Sequence, residues 1–526
     1  MTTTGDDGAV PVSGVVLAGS KRTGRGRRKG RRQGSGSHVH SAGYAASTAG
    51  VAHLAGPAGP TSGPSSDPGR SGRRRWPWGV VAAVLLLTAT GSWLAAHRIS
   101  SPLGRPVPHV VSTAMVVVPG TPPSLPWPAK GQGAIAVPSI RYSAQSGAES
   151  PVPIASLTKM TTAVVVLRDH PLPPGSDGPV ITVTAADAAE YQTELHNDES
   201  SVAIQTGESL TERQMLEGLL TQSANDIAYS LAAWDAGSVS TFVGRMNALA
   251  NSLGATDTHY VDASGYDPKS VSSASDVLRV ASAGMAIPAF AQIVALTTVD
   301  LPLVGTLHNI VSEVGTDGVV GIKSGYTSEA GACMVLAANR MIEGRSVLVL
   351  VAVLGQPTPP PTLPKSTTAT TTTTTTTTGP AAPAAPATTG PPSPTTTTTI
   401  PLNDLPIADP FKFARPPTDA LLAATQAAVT PVTVATAGQV VGSVVSIWGG
   451  RPHPALVVMA STARLPGWPG QTVASMTRLA TIAPGSRAGA RVGLRLFAVG
   501  SQFQAVRLRL AETVPEPSTW WRLLHA

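Results

Sequence analysis

Between Trp76 and Ala96 the chain carries no charge, with Arg73, Arg74 and Arg75 just before this run and His97 and Arg98 just after it. About twenty apolar residues are enough to cross the hydrocarbon core of a bilayer, and tryptophans lie towards both ends. Positive charge on the N-terminal side predicts that residues 1–75 stay in the cytoplasm and that everything after the span is extracytoplasmic. The small residues Ala95 and Ala96 leave a cleaved signal peptide as the rival. More than seventy residues ahead of the apolar run is far too long for an ordinary signal n-region, which favours an uncleaved single-pass signal anchor in the cell membrane.

The charge is divided by that run. Residues 1–75 hold 12 Lys and Arg against 3 acids, so their +9 exceeds the +7 of the whole chain. Basicity therefore belongs to a Gly/Ser/Ala-rich tail that buries too little apolar surface to fold. KRTGRGRRKGRR at 21–32 has no interleaved aromatic residues, and no nucleic-acid partner is expected. With 52 Gly, 48 Pro and 4% aromatics in 526 residues, the chain is not one packed core. A single cysteine, Cys333, excludes an intrachain disulfide and reads as a buried strand residue in GACMVLAA.

Chemistry first appears at Ser156-Leu157-Thr158-Lys159. A serine three residues before a lysine puts both side chains on one face of a helix's first turn. The hydroxyl needs a base, and a lysine serves only when neutral, a state favoured by burial and nearby positive charge. Alone, such a match is as well read as an N-cap serine and a surface lysine. Two further triplets follow, Ser223-Ala224-Asn225 and Lys323-Ser324-Gly325. S-x-x-K, an S-x-N type triplet and K-T-G in that chain order belong to penicillin-binding proteins and serine β-lactamases.

With those motifs, and with MNALANSLGATDTHYVDASGYDPKSVSSASDVLRVA between the second and third, the chain resembles the D-alanyl-D-alanine carboxypeptidases, the low-molecular-weight penicillin-binding proteins. The resemblance covers roughly residues 125–355 and resumes near 410. It implies an α/β (α+β) transpeptidase fold of the penicillin-binding-protein and β-lactamase type, an antiparallel sheet flanked by helices, with a small C-terminal all-β domain. It also implies a substrate, peptidoglycan stem peptides ending in D-Ala-D-Ala, β-lactams as covalent inhibitors, and no cofactor or metal. Ser156 would be the nucleophile and Lys159 its general base. Ser223 would pass a proton to the leaving amine, and Asn225 would hold the substrate amide and the lysine. Lys323 and the Ser324 hydroxyl would bind the terminal carboxylate, with the Lys323 charge helping to keep Lys159 neutral. Gly325 would allow close backbone approach, and the N–H groups of Ser156 and Tyr326 would form the oxyanion hole. The family usually has a threonine where Ser324 stands, and more often a cleaved signal with a C-terminal amphipathic anchor. Ala224 in place of aspartate, and no deacylating glutamate near THYVDASG, argue against class A β-lactamase. A β-lactamase or an inactive cell-wall scaffold of the same fold are the alternatives.

The order of domains follows: a tail (1–75), the anchor (76–97), a Pro-rich tether (98–128), a catalytic domain (129–430) and a C-terminal domain (431–526). VITVTAADAAEYQTELHNDESSVAIQTGESL reads as short strands and loops, with Glu190, Glu194, His196 and Glu199 on a solvated loop face rather than a metal site. Thr211 and Gln214 form a capping box, with Leu210 and Met215 as its staple. Three antiparallel strands are expected over 319–354. Residues 356–405, with eleven threonines among the thirteen residues 366–378, read as an extruded low-complexity insertion before a final helix in FKFARPPTDALLAATQAAV. In the C-terminal domain, 437–462 and 488–513 align without gaps at an offset of 51, and each copy reads as a β-hairpin.

Overall fold

The computed structural model describes residues 78–110, 115–358 and 409–525. The basic tail and nearly all of the Thr/Pro-rich segment lie outside the described residues. Residues 1–81 and 82–526 form two units; of the first, only the opening of an apolar helix is described. That helix, Trp78–Ser100, has no buried residue and is long and apolar enough to cross a membrane.

The catalytic region is built on a five-stranded antiparallel sheet. Its strands, in spatial order, are Val319–Thr327, Gly331–Ile342, Arg345–Gln356, Gln132–Val137 and Tyr142–Gln145. The strands Gly331–Ile342 and Arg345–Gln356 are apolar at most positions because both faces are covered. Side chains alternate between those faces. Cys333, Val335, Ala337, Leu350, Ala352 and Leu354 pack into one core with the helices that carry the motifs. Met334, Leu336, Ala338, Val349, Val351 and Val353 pack into another, with the helix Arg415–Ala428 and the C-terminal β region. Cys333 is buried, and burial pushes its thiol up to about 12.

Helix Thr158–Asp169 runs through the first core, and its residues 158–167 are all buried. Thr161, Thr162 and the valines 164–166 are indifferent helix formers, so tertiary burial rather than propensity holds this helix. Its threonines also bind outwards. Thr161 Oγ1 lies 2.6 Å from the Tyr260 hydroxyl, and Thr162 donates to the Ala263 carbonyl at 2.6 Å.

One expectation fails between the first two motifs. Ala185–His196 is a twelve-residue helix, not a loop; Thr184 and Asp187 close a reciprocal capping box at its start. The Thr211/Gln214 box opens helix Glu212–Thr221 as expected, with Leu210 and Met215 both buried.

The C-terminal repeat folds as two hairpins, Val440–Trp448 with Arg451–Met459 and Arg491–Val499 with Gln502–Leu510. Equivalent positions carry the same irregularities. The register shifts before Gly442 and before Gly493, and Ala437 and Ala488 each donate to a threonine, Thr462 and Thr513. The hairpins join through Arg451–Met459 and Gln502–Leu510 in a seven-stranded sheet.

Residues 98–128 are more than a tether. Val107–Val110 pairs along Val440–Trp448 at one edge of this sheet, and Met115–Val117 pairs along Thr472–Leu479 at the other. Five Cα steps from Val110 to Met115 reach at most about 19 Å. Seven flat strands would set the edges roughly 29 Å apart. The sheet must therefore curl until its edges approach. Short ties also join the exit of the apolar helix to the C-terminal helix Thr519–His525: Arg522 donates to the Ser101 carbonyl at 2.7 Å, and Arg98 to that of Leu523 at 3.1 Å.

Gly442 makes room for the incoming edge strand, since a Cβ there would fall 2.3 Å from the His109 carbonyl oxygen. Gly442→Val is expected to release Val107–Val110, read as faster amide exchange over those residues while the strands 331–356 stay protected. Unchanged exchange at 107–110 would refute this.

Candidate active site

Ser156 sits in a short 3₁₀ turn, Ala155–Leu157, that leads straight into helix Thr158–Asp169. The nucleophile candidate and Lys159 thus share one turn, as the spacing predicts. Lys159 is fully buried, and its Nζ has three partners: Ser156 Oγ at 2.9 Å, Asn225 Oδ1 at 2.5 Å and the Ser264 carbonyl at 3.0 Å. A neutral amine has two N–H donors and one lone pair. Asn225 and Ser264 offer acceptors only, so they take the two N–H groups and the lone pair is left facing the Ser156 hydroxyl. This is the geometry a general base needs.

Burial lowers the Lys159 amine to about 8, against the opposing pull of nearby carboxylates, Asp262 foremost. Desolvation is the main cause, as burial of the amine leads one to expect. Lys323 is buried as well and is pushed well below the usual lysine range, first by burial and then by the Lys159 charge. Its Nζ donates to the Ser324 carbonyl at 2.8 Å. The buried Ser324 hydroxyl has no hydrogen-bond partner among the described residues. A carboxylate arriving here would favour the charged form of Lys323 and take the Ser324 donor.

Gly325 packs against the turn that holds Ser156. A Cβ at this position would fall 2.8 Å from the Ser156 backbone nitrogen. Tyr326, the next residue on this edge strand, is partly exposed. Ser223, at φ +62°, follows helix Glu212–Thr221, and Asn225 opens helix Asn225–Ala236. Ser156, Ser223, Asn225, Ser324, Gly325 and Tyr326 line one cleft of about 210 Å³, together with Glu199, Tyr266 and Phe411. No hydrogen bond joins the Ser223 hydroxyl to Lys159 among the described residues. All eight motif residues therefore converge, the two lysines from behind the cleft wall.

Sequence reasoning missed the groups that support Lys159. Asp262 organises the turn 262–270: its Oδ2 accepts from Ser264 Oγ at 2.9 Å and from the N–H groups of Gly265 and Tyr266 at 2.8 and 2.9 Å. That turn aims the Ser264 carbonyl. Gly265 has φ +83°, and a Cβ there would lie 1.9 Å from the Ala155 carbonyl oxygen. Glu194 and Glu199, expected on a solvated face, belong to the site instead. Glu194 is buried, accepts the Asp226 N–H at 2.6 Å, and is raised to about 9 by burial and the Asp226 charge. It remains a neutral acid at pH 7 and so spares the lysine one further negative charge. The D-x-S-G-Y-D run and the Thr184 cap were the available signals.

Fold and constellation together define a serine peptidase of the penicillin-binding type. The family model described as D-alanyl-D-alanine carboxypeptidase matches residues 140–358. The chain is 36% identical over 210 residues to the D-alanyl-D-alanine carboxypeptidase DacB2 of Mycobacterium tuberculosis, covering 39% of this chain and 67% of that protein. It is 31% identical over 202 residues to a D-alanyl-D-alanine carboxypeptidase of Streptomyces sp. strain K15, covering 35% and 67%. A crystal structure of a D-alanyl-D-alanine carboxypeptidase from M. tuberculosis aligns with 28% identity and a TM-score of 0.38, over 45% of this chain and 87% of that one. The chain belongs to the D-alanyl-D-alanine carboxypeptidase family of serine hydrolases.

Because only neutral Lys159 can accept the Ser156 proton, acylation of Ser156 by penicillin should accelerate as pH rises and level off above about 8. Roughly a tenth of the lysine would be neutral at pH 7 on that value. Stopped-flow acylation rates against pH check this; a flat profile between pH 6 and about 9 would contradict a lysine base.

Proposed function

We propose that this chain removes the terminal D-alanine from peptidoglycan stem peptides through an acyl-enzyme on Ser156. Ser156 Oγ attacks the carbonyl between the two D-alanines while its proton passes to Lys159. The N–H groups of Ser156 and Tyr326 face the developing oxyanion, where preorganised donors gain most. The C–N bond then breaks as Ser223 gives its proton to the leaving amine and is reprotonated by the proton that Lys159 took from Ser156, and D-alanine departs. Water hydrolyses the remaining ester and regenerates the serine. Lys323 and Ser324 hold the terminal carboxylate, which selects a free C-terminus. A β-lactam enters by the same attack on its ring carbonyl.

The observation that carries this reading is the contact of a buried lysine of lowered basicity with Ser156 Oγ at 2.9 Å, its other partners being acceptors. A single membrane pass at Trp78–Ser100 with a cytoplasmic N-terminus puts the cleft on the outer side, where the wall substrate is. Three basic residues before the span support that orientation. The catalytic domain runs from about 129 to 430, interrupted by the Thr/Pro-rich insertion, and the C-terminal domain borrows its two edge strands from the tether.

The test is D-alanine release from diacetyl-Lys-D-Ala-D-Ala by residues 98–526. Release should vanish in Ser156→Ala and be blocked by penicillin bound at Ser156. Folded protein that neither releases D-alanine nor takes up penicillin would overturn the proposal.

A further inference from the structure

Glu199 lies just beyond helix Ala185–His196, with its side chain on the wall of the Ser156 cleft. Its backbone N–H donates to the Glu194 carbonyl at 2.9 Å. Its carboxylate is held on both oxygens: Oε1 accepts from Asn197 Nδ2 at 3.2 Å and Oε2 from Asn225 Nδ2 at 2.7 Å. On the other side of the same amide, Asn225 Oδ1 faces Lys159. The Asn225 backbone is separately fixed by donation to the Ser200 carbonyl at 2.8 Å, so only the amide's direction is left to be decided.

That direction matters chemically. A side-chain amide has nearly equal shape in its two orientations and opposite polarity. With Oδ1 towards Lys159, the amide accepts one N–H of the neutral amine. Turned over, its N–H would donate into the amine's lone pair, which could then no longer take the Ser156 proton. An ionised carboxylate only accepts, so Glu199 tolerates the first orientation and rejects the second.

We propose that Glu199 is a positioning residue for acylation: its carboxylate fixes the orientation of the Asn225 amide and so aims the Lys159 lone pair at Ser156. The inference rests on the acyl-enzyme reading above. Glu199 does for the Asn225 acceptor what Asp262 does for the Ser264 carbonyl. Its charge acts as well, since a carboxylate near Lys159 favours the protonated amine. Asp226, Glu194 and Asp262 also face that amine, and Lys323 lies near it on the edge strand.

The experiment compares wild type, Glu199→Gln and Glu199→Ala. It follows penicillin acylation and D-alanine release across the pH range, with Tm measured alongside. Glutamine keeps the size but can donate as well as accept, and it loses the charge. For Glu199→Gln the acid limb should move to lower pH and the plateau should fall several-fold. For Glu199→Ala the plateau should fall roughly ten- to a hundredfold, within the range of a misaligned general base, at unchanged Tm. Wild-type plateau and limb in both variants would overturn the proposal. So would a loss of rate that tracks a fall in Tm with the limb unmoved, which marks mere structural support. If Glu199→Ala fails to fold, Glu199→Gln decides alone. A wild type that neither acylates nor releases D-alanine would refute the acyl-enzyme reading instead.

Discussion

A lysine buried without a carboxylate in contact is the condition on which the rest of this site depends. Taking an ammonium out of water is expensive, and the protein meets the cost by letting the amine lose its proton more easily. Once neutral, Lys159 needs two acceptors and one donor around it, and Asn225, Ser264 and Ser156 are these. Each acceptor is in turn held by a carboxylate, Asn225 by Glu199 and the turn of Ser264 by Asp262. The surrounding acids pull the other way. An ionised Glu194 would add to that pull, and its own burial, which raises it to about 9, limits this.

The sheet supplies the rigidity that this balance needs. One face of the strands Gly331–Ile342 and Arg345–Gln356 carries the catalytic helices, and the other carries the C-terminal region. The turn holding Ser156 meets Gly325 on the edge strand Val319–Thr327, which pairs along Gly331–Ile342. The missing Cβ of Gly325 is what permits that approach.

Much of this was legible in the sequence. Three short motifs, with Tyr326 just after the third, marked six cleft-lining residues and the two lysines behind the wall, because acyl transfer demands particular groups at particular spacings. The offset of 51 gave the hairpins, since duplicated chains keep their turn glycines. Helix Ala185–His196 escaped because an alternating run, VITVT, leads into it and suggests strand; the Thr184 and Asp187 box was the better guide. Glu199 and Asp262 act through other residues, so no motif marks them. The strands at 107–110 and 115–117 were invisible for another reason. VPHV and MVV are too short to signal alone, and what makes them strands lies more than three hundred residues away, at Val445 and Thr472.

That remote pairing bears on how the chain reaches its native state. A chain made from its N-terminus has Val107–Val110 ready long before Val440–Trp448 exists, and contacts of such separation are slow to form. In the interval the segment is an unmatched edge, which could recruit a neighbour. Pro108, lacking an N–H, blunts that hazard while still fitting at the rim of the finished sheet. Assembly is thus locked from the ends inward: the earliest extended segment waits as a half-made seam, and only the last-made hairpins can close it.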